Sequence, residues 1–356
     1  MENRQTLINV QYLRAIAALM VVWVHARDQF DWLKIQFPSG AGAAGVDLFF
    51  VISGFIMVYT TYGKKISPLD FMLRRIERIA PLYWAATLAI LCVAAVAPAL
   101  LKSTVLSGPH ILASLAFLPM LSPAFPNNYW PLHIPGWTLN YEMAFYLLFS
   151  VSLLAHGVWR IVLLGICLVG VVIGGIFWQL NGVWKFYSDA IILIFLAGAM
   201  VGYFMARIAP AKNAFMGTLL LSAGIMLWIF LQSAETGHRL WSAGMPATII
   251  VLGALVTPNV GTRFLAWLET LGDASYSIYL SHIFCLAGLR VLSKLIGFVI
   301  QDNFHGWIFM FVCLIACSAT GVFVFKYIEK PLASKVRDLH HKMRTKMRVG
   351  TANSAG

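Results

Sequence analysis

Charge is scarce in this chain. Asp, Glu, Lys and Arg make up 11% of the 356 residues, against about a quarter in a soluble domain. Hydrophobic residues make up 60% and the mean hydropathy is +0.79. That balance excludes an ordinary soluble protein, and the length cannot be divided into soluble domains. Acidic residues are scarcer still, 14 Asp and Glu beside 26 Lys and Arg. Cysteine is sparse and unpatterned. Cys92, Cys167, Cys285, Cys313 and Cys317 all lie inside apolar runs, which excludes a disulfide framework and a zinc site. Cys313 and Cys317 share a helix face, as packing residues do. No small-residue cleavage site follows the first apolar run, so that run is expected to be retained rather than removed as a signal peptide. A soluble domain, a long linker, a low-complexity run and a clear internal repeat are also missing.

What is present is a succession of apolar runs of bilayer length, which takes roughly 17–25 residues. Ten candidates fall at about 8–26, 44–62, 80–101, 135–155, 160–179, 188–206, 214–231, 240–257, 274–296 and 306–328. The run 110–121 is short and flanked by proline, so it is expected to be re-entrant or interfacial. The fold class is all-α: a polytopic membrane helix bundle of about ten transmembrane helices plus that short segment. Residues 1–335 form the membrane domain and 336–356 a basic cytoplasmic tail. With the N-terminus inside, 19 of the 26 Lys and Arg fall on inner segments and seven on outer ones, which puts both termini in the cytoplasm. Much of the net charge of +12 sits between Lys330 and Arg348. A basic tail directly after a span suits anionic membrane lipid and explains itself without nucleic acid.

The first run, LRAIAALMVVWVHAR from Leu13 to Arg27, carries Arg14 and His25. Eleven residues apart, they share one helix face about 16 Å apart along the axis. Ionisable groups in a membrane-length segment are costly and normally face a protein interior or a water-filled cavity. Snorkelling of Arg14 to one interface and of His25 to the other is the alternative. The assumed topology sets Arg14 toward the cytoplasm and His25 toward the outside. Asp47, in GVDLFFVISGF, and Glu142, in WTLNYEMAFY, are brought to a depth similar to that of His25. In FMLRRIERIAPLYW, Arg75 and Arg78 lie one turn apart, just before a span that Pro81 would open. They could hold one polyanion through their planar forks, or simply mark the inner face. In GDASYSIYLSHIF, Ser275, Tyr279 and His282 form one polar stripe and Ser277 and Ser281 a second. Interhelical hydrogen bonding would account for the serines. Glu329 closes the last span, beside Lys326 and Lys330 or the arginines.

The patterns LRAIAALMVVWVH, GVDLFFVISGF, RRIERIAPLYW, WTLNYEMAFY, SYSIYLSH and YIEKP, in that order, resemble the acyltransferase family 3 membrane proteins. Those are bacterial enzymes that O-acylate cell-surface and secreted polysaccharides. The resemblance runs from residue 8 to about 335. It is nearest to the stand-alone acetyltransferases of exopolysaccharide clusters, because no further catalytic domain follows the tenth run. It implies that Arg14 and His25 are the family's paired basic residue and essential histidine. It also implies that Arg75 and Arg78 are its RxxR motif for acyl-CoA use and that Glu142 is the acid after its WSL-like motif, here WTL.

The expected activity is therefore O-acetyl transfer from cytoplasmic acetyl-CoA to a hydroxyl of a polysaccharide or lipid-linked oligosaccharide. The setting is the bacterial inner membrane, and no metal is expected. Histidine, with an ordinary pKa of about 6.5, suits removal of the hydroxyl proton. His25 is the candidate base, with Glu142 first and Asp47 second as the carboxylate that orients it. A covalent acyl-enzyme is the other route. Arg14, Arg75 and Arg78, with Ser277, Tyr279 and His282, are the candidate donor-binding residues. The rival class is a secondary transporter or polysaccharide flippase, since intramembrane Arg, His and Glu also build proton relays. The missing repeat speaks against it.

Overall fold

The second apolar run becomes the axis of the fold. The computed structural model describes residues 7–36, 40–98, 101, 104–233, 238–259, 265–300 and 302–338, and among them no strand occurs. The main helices are α1 Ile8–Arg27, α2 Gly40–Thr61, α3 Pro68–Val96, α4 Trp137–Ser152 and α5 Val158–Phe177. Then come α6 Leu193–Ile208, α7 Ala214–Ser233, α8 Met245–Val256, α9 Ser275–Leu295 and α10 Asn303–Val324. Of the membrane-length window in α2, 78% is buried, against 11% for α7 at the rim. α2 lies between α1 and α6. It meets α6 at glycines on both sides: a Cβ on Gly54 would run into the Phe195 carbonyl, and one on Gly198 into the Val51 carbonyl. Such small residues let two backbones touch, which supplies packing that lipid cannot. Side chains such as Ile176 and Phe177 of α5, Met226 and Phe230 of α7 and Ile315 of α10 point outward instead. An apolar exterior of this kind is what a bilayer solvates.

Helix ends are tied by side chains where backbone carbonyls or N–H groups would otherwise be orphaned. Arg160 of α5 donates to the Thr61 carbonyl at the end of α2 at 3.0 Å. Asn9 of α1 donates to the Ala254 and Thr257 carbonyls at the end of α8, at 2.9 and 3.1 Å. Asp302 caps α10 by accepting from the His305 N–H at 2.9 Å.

The expected all-α polytopic bundle is present, with two changes. Among the described residues, eight helices are long and apolar enough to cross a membrane. The other two of the ten expected spans are shorter: α4 has 16 residues, and α8 is reached only with the wide turn Leu240–Gly244 before it. The run at 110–121 is indeed short, as the eight-residue helix Gly108–Leu115. The second change concerns Pro81. It does not open a span but lies inside α3, a single helix of 29 residues that starts at Pro68 with Asp70 in its first turn. The arginines expected to precede a span therefore stand inside the same helix as that span. Pro81 removes one N–H donor from the ladder, and the helix continues past it because Ile79, Ala80, Leu82 and Tyr83 are all buried around it. The expected basic tail lies, from residue 339 onward, outside the described residues, as do Arg4, Lys102 and Arg263 of the charge count.

Candidate active site

Five helices distant in sequence close around one cavity of about 310 Å³. α1 contributes Arg14, α2 Ser53, α3 Arg75 and Arg78, α4 Thr138, Glu142 and Tyr146, and α9 Ser275, Tyr276 and Tyr279. Its lining thus carries three guanidinium groups and one carboxylate. Arg14 is half-buried and donates to the Gln11 Oε1 at 3.0 Å. The charges that act on it are Arg78, Asp273, Glu329 and Glu142. Arg75 is half-buried between the Phe71 and Tyr146 rings, 5.4 and 5.9 Å from their centroids. Its Nε is buried without a hydrogen-bond partner. Glu142 Oε1 accepts from the Ser53 hydroxyl at 3.0 Å and from the Tyr146 hydroxyl. Tyr276 donates to the Ile79 carbonyl at 2.7 Å and so fastens α9 to the arginine-bearing part of α3. A water-accessible hollow with surplus guanidinium is suited to a polyanion.

A second cluster lies one turn further along α9. His282 Nδ1 is 2.6 Å from the Tyr279 carbonyl, and its Nε2 is 3.3 Å from His25 Nδ1. His25 Nδ1 is also 2.9 Å from the Val21 carbonyl. A carbonyl only accepts, so the Nδ1 atom of each ring carries a hydrogen. Tyr279 stands between the cavity and this pair. Its hydroxyl donates to the Pro135 carbonyl at 2.9 Å and bonds the Thr138 hydroxyl at 2.8 Å. His133, in the loop before α4, is fully buried and stacks on Phe284 at 5.4 Å. Burial holds its imidazole down at about 4.

A third cluster is an ion pair. Asp47 is fully buried, and Arg239 reaches it through Nε at 3.0 Å and through a terminal nitrogen at 3.1 Å. The Arg239 guanidinium lies 5.7 Å from the Trp137 ring centroid.

These positions correct the expected constellation. Neither carboxylate accompanies His25. Asp47 is engaged by Arg239 and Glu142 by two hydroxyls, and the ring nitrogen beside His25 belongs to His282. Glu142 instead faces the arginines it was thought to be remote from. Of the expected donor-site residues, Arg14, Arg75, Arg78 and Tyr279 meet in one cavity. Ser277 donates to Glu329 Oε2 at 2.6 Å, and His282 is committed to His25. Glu329 takes that serine, and of the cations expected near it Arg78, Arg14 and Lys330 act on its charge. Lys330 lies over the Phe325 ring at 4.5 Å. Ser53, Tyr146, Arg239 and His133 went unremarked in the sequence. Only Tyr146 carried a signal, lying four residues after Glu142 on the same helix face. Among the described residues no group of three or more His, Cys, Asp and Glu is placed to hold a metal ion.

Comparison with known proteins agrees with the resemblance. The family description "Acyltransferase domain" matches residues 7–323. The chain is 34% identical over 300 residues to the exopolysaccharide production protein ExoZ of Rhizobium meliloti, covering 83% of this chain and 91% of that protein. It is 24% identical over 374 residues to the O-acetyltransferase OatA of Staphylococcus aureus, covering 91% of this chain and 56% of that protein. No solved structure matches. The chain belongs to this acyltransferase family, acyltransferase family 3, as a multi-pass membrane O-acyltransferase.

Proposed function

We propose that this protein moves an acetyl group from acetyl-CoA to a hydroxyl of a surface or secreted polysaccharide, or of its lipid-linked precursor, with His25 as general base. The observation that carries the reading is the state of α1. One end of the helix gives Arg14 to a guanidinium-rich cavity. Near the other end His25 offers an Nε2 atom that makes no hydrogen bond among the described residues. Because Nδ1 holds the hydrogen, Nε2 holds a lone pair, which is what a base requires.

The steps balance without further reactants. The acceptor hydroxyl gives its proton to His25 Nε2 as its oxygen attacks the thioester carbonyl. The tetrahedral intermediate then expels the thiolate of coenzyme A, which takes the proton back from the imidazolium. Arg14, Arg75 and Arg78 hold the phosphates of the donor, with Arg75 Nε as a donor already waiting. The names of the relatives support acetyl as the group and exopolysaccharide as the acceptor class. The distribution of Lys and Arg supports an inner-membrane protein with both termini cytoplasmic, the donor cavity toward the cytoplasm and His25 toward the outer side.

The test is acetyl transfer to polysaccharide in membranes carrying matched amounts of protein. His25→Gln keeps a polar side chain of similar size but cannot cycle a proton. Transfer should drop by roughly 10²–10⁴-fold, the range for loss of a general base. Near-normal transfer by that variant would remove His25 from the chemistry.

A further inference from the structure

The partner that a catalytic histidine needs is ordinarily a carboxylate, which accepts its Nδ1 hydrogen and fixes its tautomer. Here the two carboxylates expected to serve it are engaged elsewhere, Asp47 by Arg239 and Glu142 by Ser53 and Tyr146, and Asp28, at the end of α1, pairs with Arg27. The atom facing His25 Nδ1 is His282 Nε2, at 3.3 Å, with the two ring centroids 4.9 Å apart. His282 is fully buried. Its own hydrogen is assigned by the Tyr279 carbonyl at 2.6 Å, so Nδ1 is the donor and Nε2 is left as an acceptor. Only one arrangement satisfies every contact. His282 Nδ1–H donates to the Tyr279 carbonyl. His25 Nδ1–H is shared between the Val21 carbonyl and His282 Nε2. His25 Nε2 is bare.

We propose that His282 is the positioning residue of the reaction: a neutral imidazole that accepts the Nδ1 hydrogen of His25, holds it in the productive tautomer and supports the imidazolium during transfer. This rests on the reading of His25 as the base. The Val21 carbonyl cannot do the task alone, since it lies one turn back on α1, where it also accepts the helical bond of the His25 N–H. The arrangement is built rather than incidental. α1 and α9 pack together, and Tyr279, whose carbonyl sets His282, is itself pinned through its hydroxyl by Thr138 and the Pro135 carbonyl. His282 touches no substrate in this scheme. It acts through His25.

The experiment compares His282→Leu, His282→Gln and His25→Gln by steady-state transfer at matched protein level. Leucine removes the acceptor. The expected result is a fall in kcat of about 10- to 100-fold, the scale of one hydrogen bond to a charged group, with KM for acetyl-CoA unchanged. Glutamine offers a carbonyl oxygen near the former Nε2 position, so it should recover kcat to within a few-fold of wild type. Full activity in His282→Leu, with His25→Gln inactive, overturns the proposal and leaves the general-base reading standing. Equal impairment of the leucine and glutamine variants also overturns it, because shape rather than an acceptor would then matter. Near-normal activity of His25→Gln removes the base itself, and the proposal with it. Should the His282 variants fail to fold, nitrogen-15 spectra of the wild-type protein give the same decision. An imine-type Nε2 and a protonated Nδ1 on His25 are expected, and the reverse assignment refutes the proposal.

Discussion

Arginine 75 offers the sharpest perturbation of the cavity, because its neighbour in sequence is a built-in control. Arg74 and Arg75 are adjacent on α3, yet only Arg75 lines the cavity, half-buried between Phe71 and Tyr146, while Arg74 is exposed. The buried Arg75 Nε has no partner, so Arg75→Ala leaves little behind unsatisfied. The cost to the unliganded fold is the two ring contacts, about 0.5–1 kcal/mol in all. The cost to binding a phosphate is larger, about 1.5–3 kcal/mol for a hydrogen bond to a charged group, which raises Kd by roughly 10- to 150-fold. Arg75→Lys restores charge without the fork and should recover only part of that loss. Arg74→Ala should change Kd by less than about 2-fold, as expected for an exposed charge. Calorimetry of acetyl-CoA binding to the purified protein reads all three. Unchanged affinity in Arg75→Ala, or an equal loss in Arg74→Ala, refutes the assignment of the cavity and reduces the arginines to a basic cluster near one end of the bundle.

At the crossing of α2 and α6, Gly54→Ala forces a methyl against the Phe195 carbonyl and should cost about 1–3 kcal/mol, whereas Gly170→Ala on α5, which meets nothing within 4 Å, should be neutral or slightly stabilising; thermal unfolding midpoints in detergent compare them. Asp47→Ala removes the buried carboxylate that Arg239, itself one-third exposed, pairs with, so about 1–3 kcal/mol of stability should go, while transfer per folded molecule stays near wild type; a kcat loss with unaltered stability would return Asp47 to the chemistry. His133 is held near 4, below its ordinary value of about 6.5, so the unfolded chain binds the extra proton and stability falls as pH drops from about 6.5 toward 4, by up to about 3 kcal/mol. His133→Phe should flatten that part of the pH dependence of the unfolding midpoint, and an unchanged slope would show that His133 does not titrate on unfolding.

The bundle was readable because a bilayer imposes one requirement on every helix, an apolar run of fixed length, and the runs at 8–26, 44–62 and 214–231 met it with little else to weigh. Pro81 misled for a local reason. Its preference for a first turn is real, but burial on all sides of it outweighed one lost hydrogen bond. The site was legible in membership and not in pairing. Arg14, Arg75, Arg78 and Glu142 could each be singled out by the cost of charge in an apolar setting. Which of them met depended on how far each helix slides and turns about its axis, and spacing along the chain does not encode that. Arg239 shows the limit plainly. It reads as one more loop cation, yet it claims Asp47 from a position 192 residues away.

α1 also acts as a ruler. Arg14 and His25 sit on one unbroken helix, Ile8–Arg27, so the spacing between the two sites is set by helical rise, about 16 Å over eleven residues, and no loop can lengthen or shorten it. In the proposed reaction, a donor anchored by its phosphates at the arginine end would have to carry its thioester across that distance. A thioester stripped of the phosphate-bearing end would lose its anchor, and a phosphorylated donor with a shorter arm would bind in the cavity and stop short of the histidine. On the proposed reading, the chain would measure its acyl donor by length before any chemistry begins.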